Sequence, residues 1–366
     1  MSSSAIILPD KKPKVVVFDL DETLGCFGQF GLFFETLIEF YNNVTIGYTY
    51  FNELIDLYPE VFRPNIVRIL DYIRKKKQRG SCSKVMIYTN NQGPAKWVQH
   101  LRGYLEKKLA EHLVGGTVQG VGGSVGSRTN TLFFDRIIGG INVIYSNNDS
   151  DNIHRLTKEK TVNDFLRCSR LSSNVEICFL DDLLHQKMVD EKVYYIKLQS
   201  YYSYIPFEQM ITRFINSKLY DQHYASLPCL TAGGQYMAVT NSNKQIHKQM
   251  SAIEMNNVLS KRIKLNNYDA KTMISKLNPR EIDEIISKYI LYHLQLFFKE
   301  DRANMNVLTQ PNNTKNKTRK AAASIRIKHG SPRVFVVNKE TAVKAFKKEA
   351  SANKRASTRK VDNNKK

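Results

Sequence analysis

Asp19 and Asp21 follow the apolar run Val15-Val16-Val17-Phe18 and stand two residues apart in the string Asp19-Leu20-Asp21-Glu22-Thr23-Leu24. A strand repeats every two residues, so this spacing puts both carboxylates on one side of the chain as it leaves the strand. In open α/β sheets that C-terminal edge is where ligands bind. Two carboxylates this close repel by roughly 1 kcal/mol in water-like surroundings, and by more at a lower effective dielectric. Such a pair is tolerated where a cation or a shared proton compensates it. A strand followed by an acidic cap accounts for one aspartate, but not for the whole string.

The elements that must position this pair are legible as alternating patterns. Besides residues 15–18, short β-branched or aromatic runs occur at 84–88, 132–138, 142–145, 175–180 and 193–197. Runs of four to eight apolar residues suit buried strands of a parallel sheet. Between them lie helical patterns. Ile66, Ile69, Leu70 and Ile73 follow Pro64. Trp97, Val98, Leu101, Tyr104, Leu105 and Leu109 share one face after Pro94, and Val162, Phe165 and Leu166 mark a shorter helix over 161–170. Strands alternating with helices predict an α/β fold, a doubly wound open parallel sheet with flanking helices.

Residues 115–129 hold six glycines, but Val125 stands where a dinucleotide fingerprint needs its third glycine and no strand precedes, so the segment reads as a surface loop. Past residue 217 the strand signal fades. Asn278-Pro279-Arg280-Glu281 reads as a helix start with Asn278 as the cap, followed by an apolar stripe from Ile282 to Phe297. Three segments are therefore expected: an α/β domain over 1–217, a helical module over 218–300 and a basic, disordered tail over 301–366. In the tail only residues 333–337 look strand-like.

Composition excludes several function classes. At 366 residues and 42% hydrophobic content the chain can bury a sizeable core. It has no run of about 18 apolar residues, so no membrane span is expected, and residues 1–14 lack a signal-type apolar core. Cys26, Cys82, Cys168, Cys178 and Cys229 are scattered, with no Cys-x-x-Cys pair. That argues against a disulfide framework or zinc site and for a reducing compartment, intracellular in the cytoplasm or nucleus. Residues 301–366 carry 18 Lys/Arg against 4 Asp/Glu, two thirds of the net charge of +21.

The string at Asp19 resembles motif I of haloacid-dehalogenase (HAD) superfamily phosphatases. Its form is typical of the RNA polymerase II C-terminal-domain phosphatase, or NLI-interacting-factor-like, branch. The run ending in Thr89-Asn90 is similar to motif II, and the run ending in Asp181-Asp182 to motif IV. Lys160, 21 residues before Asp181, suits motif III, with Lys158 as its competitor. Arg63-Pro64-Asn65 ahead of one helix and Tyr204-Ile205-Pro206-Phe207 opening another add to the likeness, which covers about residues 12–217.

This resemblance implies a HAD-type Rossmannoid sheet and a Mg²⁺-dependent phosphomonoester hydrolase working through an aspartyl-phosphate. Asp19 is then the nucleophile, and Asp21 the acid and later the base. Thr23, Thr89, Asn90 and Lys160 bind phosphate. The metal set is Asp19, Asp21 through its carbonyl, and Asp181 or Asp182.

Motif IV of that branch is usually Asp-Asn, whereas Asp181-Asp182 is similar to versions in large DNA viruses, which implies a viral origin. His185 reads as a surface histidine. Asn91, Gln92 and Gly93 read either as substrate-lining or as a turn. The aromatic segment from Phe27 to Phe51 reads as a substrate-facing insert or as core.

Three functions follow. The first is a protein Ser/Thr phosphatase acting on phosphorylated protein. The second is a nucleic-acid 3′-phosphatase, which the similarity of Thr89-Asn90-Asn91-Gln92-Gly93 to polynucleotide 3′-phosphatases keeps open. The third is a non-catalytic binding protein that retains the fold. The tail over 301–366 adds nucleic acid as a candidate partner through Lys317-Thr318-Arg319-Lys320, Lys347-Lys348, Lys354-Arg355, Arg359-Lys360 and Lys365-Lys366.

Overall fold

The computed structural model describes residues 12–114, 132–141, 153–227, 229–230, 236–237, 244–298, 332–341 and 344. Six parallel strands form its sheet: β1 (Lys14–Phe18), β2 (Lys84–Tyr88), β3 (Arg136–Ile138), β4 (Glu176–Asp181), β5 (Val193–Leu198) and β8 (Arg333–Val337). Their spatial order is β3-β2-β1-β4-β5-β8. The short strands β6 (Cys229–Leu230) and β7 (Tyr236–Met237) pair antiparallel with each other.

Alternation along the central strands explains why both faces are covered. Val16, Phe18, Val85, Ile87, Cys178, Leu180, Tyr194 and Ile196 enter one apolar cluster. Val15, Val17, Met86, Tyr88, Ile177, Phe179, Val193 and Tyr195 enter the other. Strands buried on both faces read as unbroken apolar runs, and that is how these were recognised.

The larger cluster takes in α1 (Gly28–Tyr41), α2 (Val44–Thr49), α3 (Phe51–Asp56), α4 (Ile66–Gln78) and α5 (Ala95–Val114), all between β1 and β3. The smaller is closed by α6 (Val162–Ser169), where Val162, Phe165 and Cys168 face the sheet. The aromatic segment resolves as core. Phe27, Phe30, Phe33, Phe34, Phe40 and Phe51 are all buried, with Phe30 packed against Phe51, Tyr58 and Trp97.

The expected boundary at residue 217 does not separate two cores. After α7 (Phe207–Ile215) come α8 (Lys244–Leu265), α9 (Ala270–Ser275) and α10 (Arg280–Phe297). Met255, Val258 and Leu259 of α8 and Ile286, Ile290 and Leu294 of α10 lie in the same cluster as β1 and α1. The first helix is tied to α8 by Arg262, which bonds Glu35 and Glu39 at 2.7 Å each. Within the basic segment the strand-like run 333–337 is indeed strand, so this part of the tail expected to be disordered is ordered, while most of the remainder lies outside the described residues. Residues 333–337 form β8, paired in parallel with β5 from Tyr194↔Arg333 to Leu198↔Val337. Phe335 stacks on Tyr194 at 4.4 Å between ring centroids, which fixes that strand to the sheet.

Two local expectations shift. Of the run 132–138, only Arg136–Ile138 is strand, because the Asp135 carboxylate accepts from Val85 N–H and Lys77 and bends the chain before it. At α10, Pro279 takes the cap position and Asn278 Nδ2 donates to Asp283 instead of capping. The expected strand at 142–145 and the glycine-rich loop at 115–129 lie outside the described residues. Among the described residues no helix is long and apolar enough to cross a membrane. Four of the cysteines, Cys26, Cys82, Cys168 and Cys178, are free and buried.

Candidate active site

The chain builds β1, β2 and β3 outward in one direction, then returns to lay β4 on the other side of β1. The crossover connections diverge there, so the C-terminal ends of β1 and β4 form a topological switch point, the place where doubly wound sheets bind ligands. Asp19 follows β1 and Asp181 ends β4; the Asp19 N–H donates to Leu180 O at 2.8 Å, locking the two strand ends together. Asp19, Asp181 and Asp182, each buried, bring one carboxylate oxygen apiece within 4.8 Å of one another.

Lys160 enters between them. Its Nζ lies 2.5 Å from Asp19 Oδ1 and 2.7 Å from Asp181 Oδ2, and the residue is 1% exposed. Its rival Lys158 is exposed and contributes only its carbonyl, accepting from Arg155. What aims Lys160 inward is the start of α6: Thr161 caps that helix by accepting from Asp164 N–H at 3.0 Å.

The two acids at the end of β4 have different surroundings. Asp181 uses Oδ2 for Lys160, with His185 Nε2 at 3.5 Å, and Oδ1 for the Leu183 N–H at 2.8 Å. Asp182 is held by hydroxyls alone: Ser200 Oγ donates to Oδ2 at 2.7 Å and Thr23 Oγ1 to Oδ1 at 3.4 Å. Thr23 Oγ1 also accepts the Asp182 N–H at 3.1 Å. Thr23 was expected among the phosphate-binding groups. It is instead buried, its hydroxyl spent on joining the β1 turn to Asp182.

The turn after β1 is shaped by close approach. Glu22 has φ 54°, a left-handed conformation unusual for a residue with a side chain. Its carbonyl is held from two directions, by Arg63 Nη2 at 2.7 Å and the Tyr201 N–H at 2.8 Å. Arg63, 1% exposed, also donates to Thr23 O and Gln199 O. At Gly25 an added Cβ would stand 2.5 Å from Val61 O, so only glycine lets the 61–63 segment reach the turn.

Thr89 and Asn90 leave β2 beside the same switch point. Thr89 is buried, and its Oγ1 accepts the Asn91 N–H at 3.0 Å. Asn90 sends its Oδ1 to Arg155. Asn91 reaches the turn after β1, Nδ2 donating to Asp21 Oδ2 at 2.9 Å. The structure thus gathers Asp19, Asp21, Thr89, Asn90, Lys160, Asp181 and Asp182 along one sheet edge.

Charge dominates the electrostatics. Burial drives the Asp19 carboxyl up to about 8 even with Lys160 beside it, and Asp181 and Asp21 push the same way. Burial also raises Asp21 and Asp182, against the hydrogen bonds from Asn91 and Ser200. Glu22 rises to about 8, from burial and then its acidic neighbours. For Asp181 burial works against ionisation, but Lys160 and His185 outweigh it and hold the carboxyl below its ordinary value. Burial likewise opposes the Lys160 charge, and Asp19 and Asp181 together more than restore it. Four aspartates thus share a single buried ammonium, with Glu22 beside them, a deficit that a divalent cation with oxygen ligands would offset.

Sequence reasoning missed Arg155 and misplaced His185. Arg155 is 1% exposed and donates to Thr89 O, Asn90 Oδ1, Gly139 O and Lys158 O, joining three segments. Nothing local distinguishes it from a solvated arginine. His185, expected at the surface, is buried against Asp181, four residues on. That spacing was available as a signal. Comparison of the chain with protein-family models, curated proteins and solved structures finds no match in any of the three.

Proposed function

We propose that this chain is a Mg²⁺-dependent phosphomonoesterase of HAD type, acting on phosphorylated protein through an aspartyl-phosphate on Asp19. The observation that carries this reading is Lys160 held between Asp19 and Asp181 at the switch point, with Asp182 alongside. Asp19 Oδ attacks phosphorus as the ester oxygen departs, and Asp21, whose carboxyl burial shifts towards the protonated form, supplies a proton to that oxygen. Asp21 then takes a proton from the water that cleaves the acyl-phosphate, returning Asp19. Lys160 offsets charge on Asp19 and the phosphoryl oxygens throughout. The Thr89 hydroxyl and the amides after β2 orient the phosphoryl group.

The donor set fits a hard divalent ion, with Asp19, Asp182 and the Asp21 carbonyl as ligands. Asp181 is assigned to Lys160, because it pairs with that ammonium, whereas Asp182 meets only neutral hydroxyls that a cation leaves in place. Bound Mg²⁺ would supply charge neutralisation and polarise a phosphoryl oxygen. A protein substrate is favoured by Leu183 and Leu184, 56% and 43% exposed immediately after the motif IV acids. Leu156, 68% exposed, lies on the loop that Glu159 bridges to Lys187 at 2.8 Å. Apolar side chains beside a phosphate site suit a peptide better than a sugar-phosphate strand.

Hydrolysis of p-nitrophenyl phosphate with and without Mg²⁺ tests the activity. Mg²⁺-dependent turnover, abolished in Asp19→Asn, is expected; a wild type without it overturns the proposal. A phosphoserine peptide compared with a 3′-phosphorylated oligonucleotide tests the substrate class, with the peptide expected to be the better of the two.

A further inference from the structure

The connection between α9 and α10 reaches the site from beyond residue 217. Lys276 closes α9 and is exposed, its Nζ lying 5.0 Å from the centroid of the Tyr202 ring. Tyr202 stands two residues after Ser200, whose hydroxyl holds Asp182, and one after Tyr201, whose N–H holds the Glu22 carbonyl. The lysine's charge is felt at the site: burial and acidic neighbours raise the Glu22 carboxyl, and Lys276 draws it back.

Gln199 fixes this lysine beside a second one. Its Nε2 donates to Asn278 Oδ1 at 3.2 Å, two residues after Lys276. Its Oε1 accepts the N–H of Lys339, which is exposed just past β8. Its carbonyl accepts from Arg63, the residue that also holds the carbonyls of Glu22 and Thr23. One residue thus ties two exposed lysines from distant parts of the chain to the turn that carries Asp21. Among the described residues neither lysine forms an ion pair with a carboxylate.

A lysine that closes a helix can simply complement the helix dipole. That role asks for no contact with Tyr202 and no nearness to Glu22, and α9 has only six residues. A cation has a second use here, because a centre crowded with carboxylates repels an approaching anion wherever no positive charge faces it. We propose that Lys276, with Lys339, forms a subsite for an acidic residue of the phosphoprotein substrate, an assignment that rests on the phosphatase reading above. Ser200 and Tyr202 are at most about 7 Å apart along the chain, which sets the scale. An extended peptide advances about 3.3 Å per residue, so the acid lies two or three residues from the phosphoserine. Two lysines suit isolated side-chain carboxylates and are too few for the continuous charge of a nucleic-acid duplex.

The test is fluorescence anisotropy, with Mg²⁺ present, of labelled peptides whose phosphoserine is replaced by its non-hydrolysable phosphonate. The residues two and three positions to either side are Glu, Ala or Lys. The whole chain is expected to bind the Glu peptide about fivefold more tightly than the Ala peptide, the upper end for an exposed ion pair. This preference should shrink as salt rises. Lys276→Glu is expected to abolish it and to favour the Lys peptide, whereas Lys276→Arg retains it and Lys339→Glu reduces it in part. Lys84→Gln, at the start of β2 and so at the opposite end of the sheet, should retain it in full.

A Lys276→Glu chain with the wild-type preference overturns the proposal, as does a wild type that binds the Glu and Ala peptides equally. So does tighter binding of a 3′-phosphorylated oligonucleotide than of the Glu peptide. Because the phosphonates are not hydrolysed, the subsite is read without turnover. A wild type that leaves p-nitrophenyl phosphate intact sinks the phosphatase reading; a missing acid preference alongside turnover sinks the subsite alone.

Discussion

Asp19 is buried with three other aspartates and Glu22 around one lysine, and its protonation should couple to folding. In the metal-free protein the Asp19 and Glu22 carboxyls rise to about 8, against about 4 in an unfolded chain. A raised carboxyl binds more protons folded than unfolded between those values, so stability is lost as pH rises through that window. Asp181, held low, acts the other way: its contribution is present above the unfolded value and lost as pH falls. Metal-stripped protein should therefore melt at a lower temperature at pH 8.5 than at pH 6. Mg²⁺ should restore more at the higher pH, and Asp19→Asn should flatten the profile. A melting temperature that rises steadily to pH 8.5 without metal would contradict this.

The two acids at the end of β4 should separate by substitution. Asp182→Ala is expected to raise the Mg²⁺ concentration for half-maximal activity by about 100-fold, a ligand being worth at least as much as an outer-shell partner. Asp181→Asn, which loosens Lys160, should lower kcat at any Mg²⁺ concentration. Magnesium titrations of both variants decide it, and a reversed pattern would exchange their roles.

Among the elements, the segment 153–161 ahead of α6 matters most, because it carries Lys160 and none of its residues lies in a helix or named strand. Arg155 replaces that missing regularity, binding the carbonyls of Thr89, Gly139 and Lys158. Each buried carbonyl left unpaired costs about 1–3 kcal/mol. Arg155→Ala is therefore expected to destabilise the protein by about 3 kcal/mol or more in urea unfolding, and to reduce kcat as Lys160 and Thr89 drift. Thr161→Ala, which removes only the α6 cap, should cost about 1 kcal/mol. If Arg155→Ala unfolds at the wild-type urea midpoint, the loop has another anchor.

At the scale of the whole molecule, helices far along the chain complete the core around β1. Lys14 on β1 pairs with Glu176 at 3.1 Å and also bonds Phe297 O at the end of α10. Met255, Leu259, Ile286 and Leu294 cover apolar surface of the first 217 residues. Each large side chain left uncovered forfeits about 1.5–3 kcal/mol, so losing four exceeds much of a domain's stability. A fragment of residues 1–217 is expected to aggregate or to melt without a cooperative transition in calorimetry. A sharp transition like that of the full chain would show that the α/β part folds alone.

The sequence by itself determined the central strands, the flanking helices and the identity of the acids, because periodicity and strand-end residues are local properties. It singled out Asp19 and Asp21 from their place at the end of an apolar run, and reached Thr89, Asp181, Asp182 and the preference for Lys160 over Lys158 only through spacing and family likeness. Only the tertiary structure decided that β4 lies beside β1, which brings Lys160 to Asp19 across 141 residues of chain. It also decided that Arg155 and His185 are buried, that Thr23 serves Asp182, that the helices after residue 217 share the first core, and that residues 333–337 extend the sheet. Each of those depends on which distant surfaces meet, and a side chain's type does not encode the neighbour that will desolvate it.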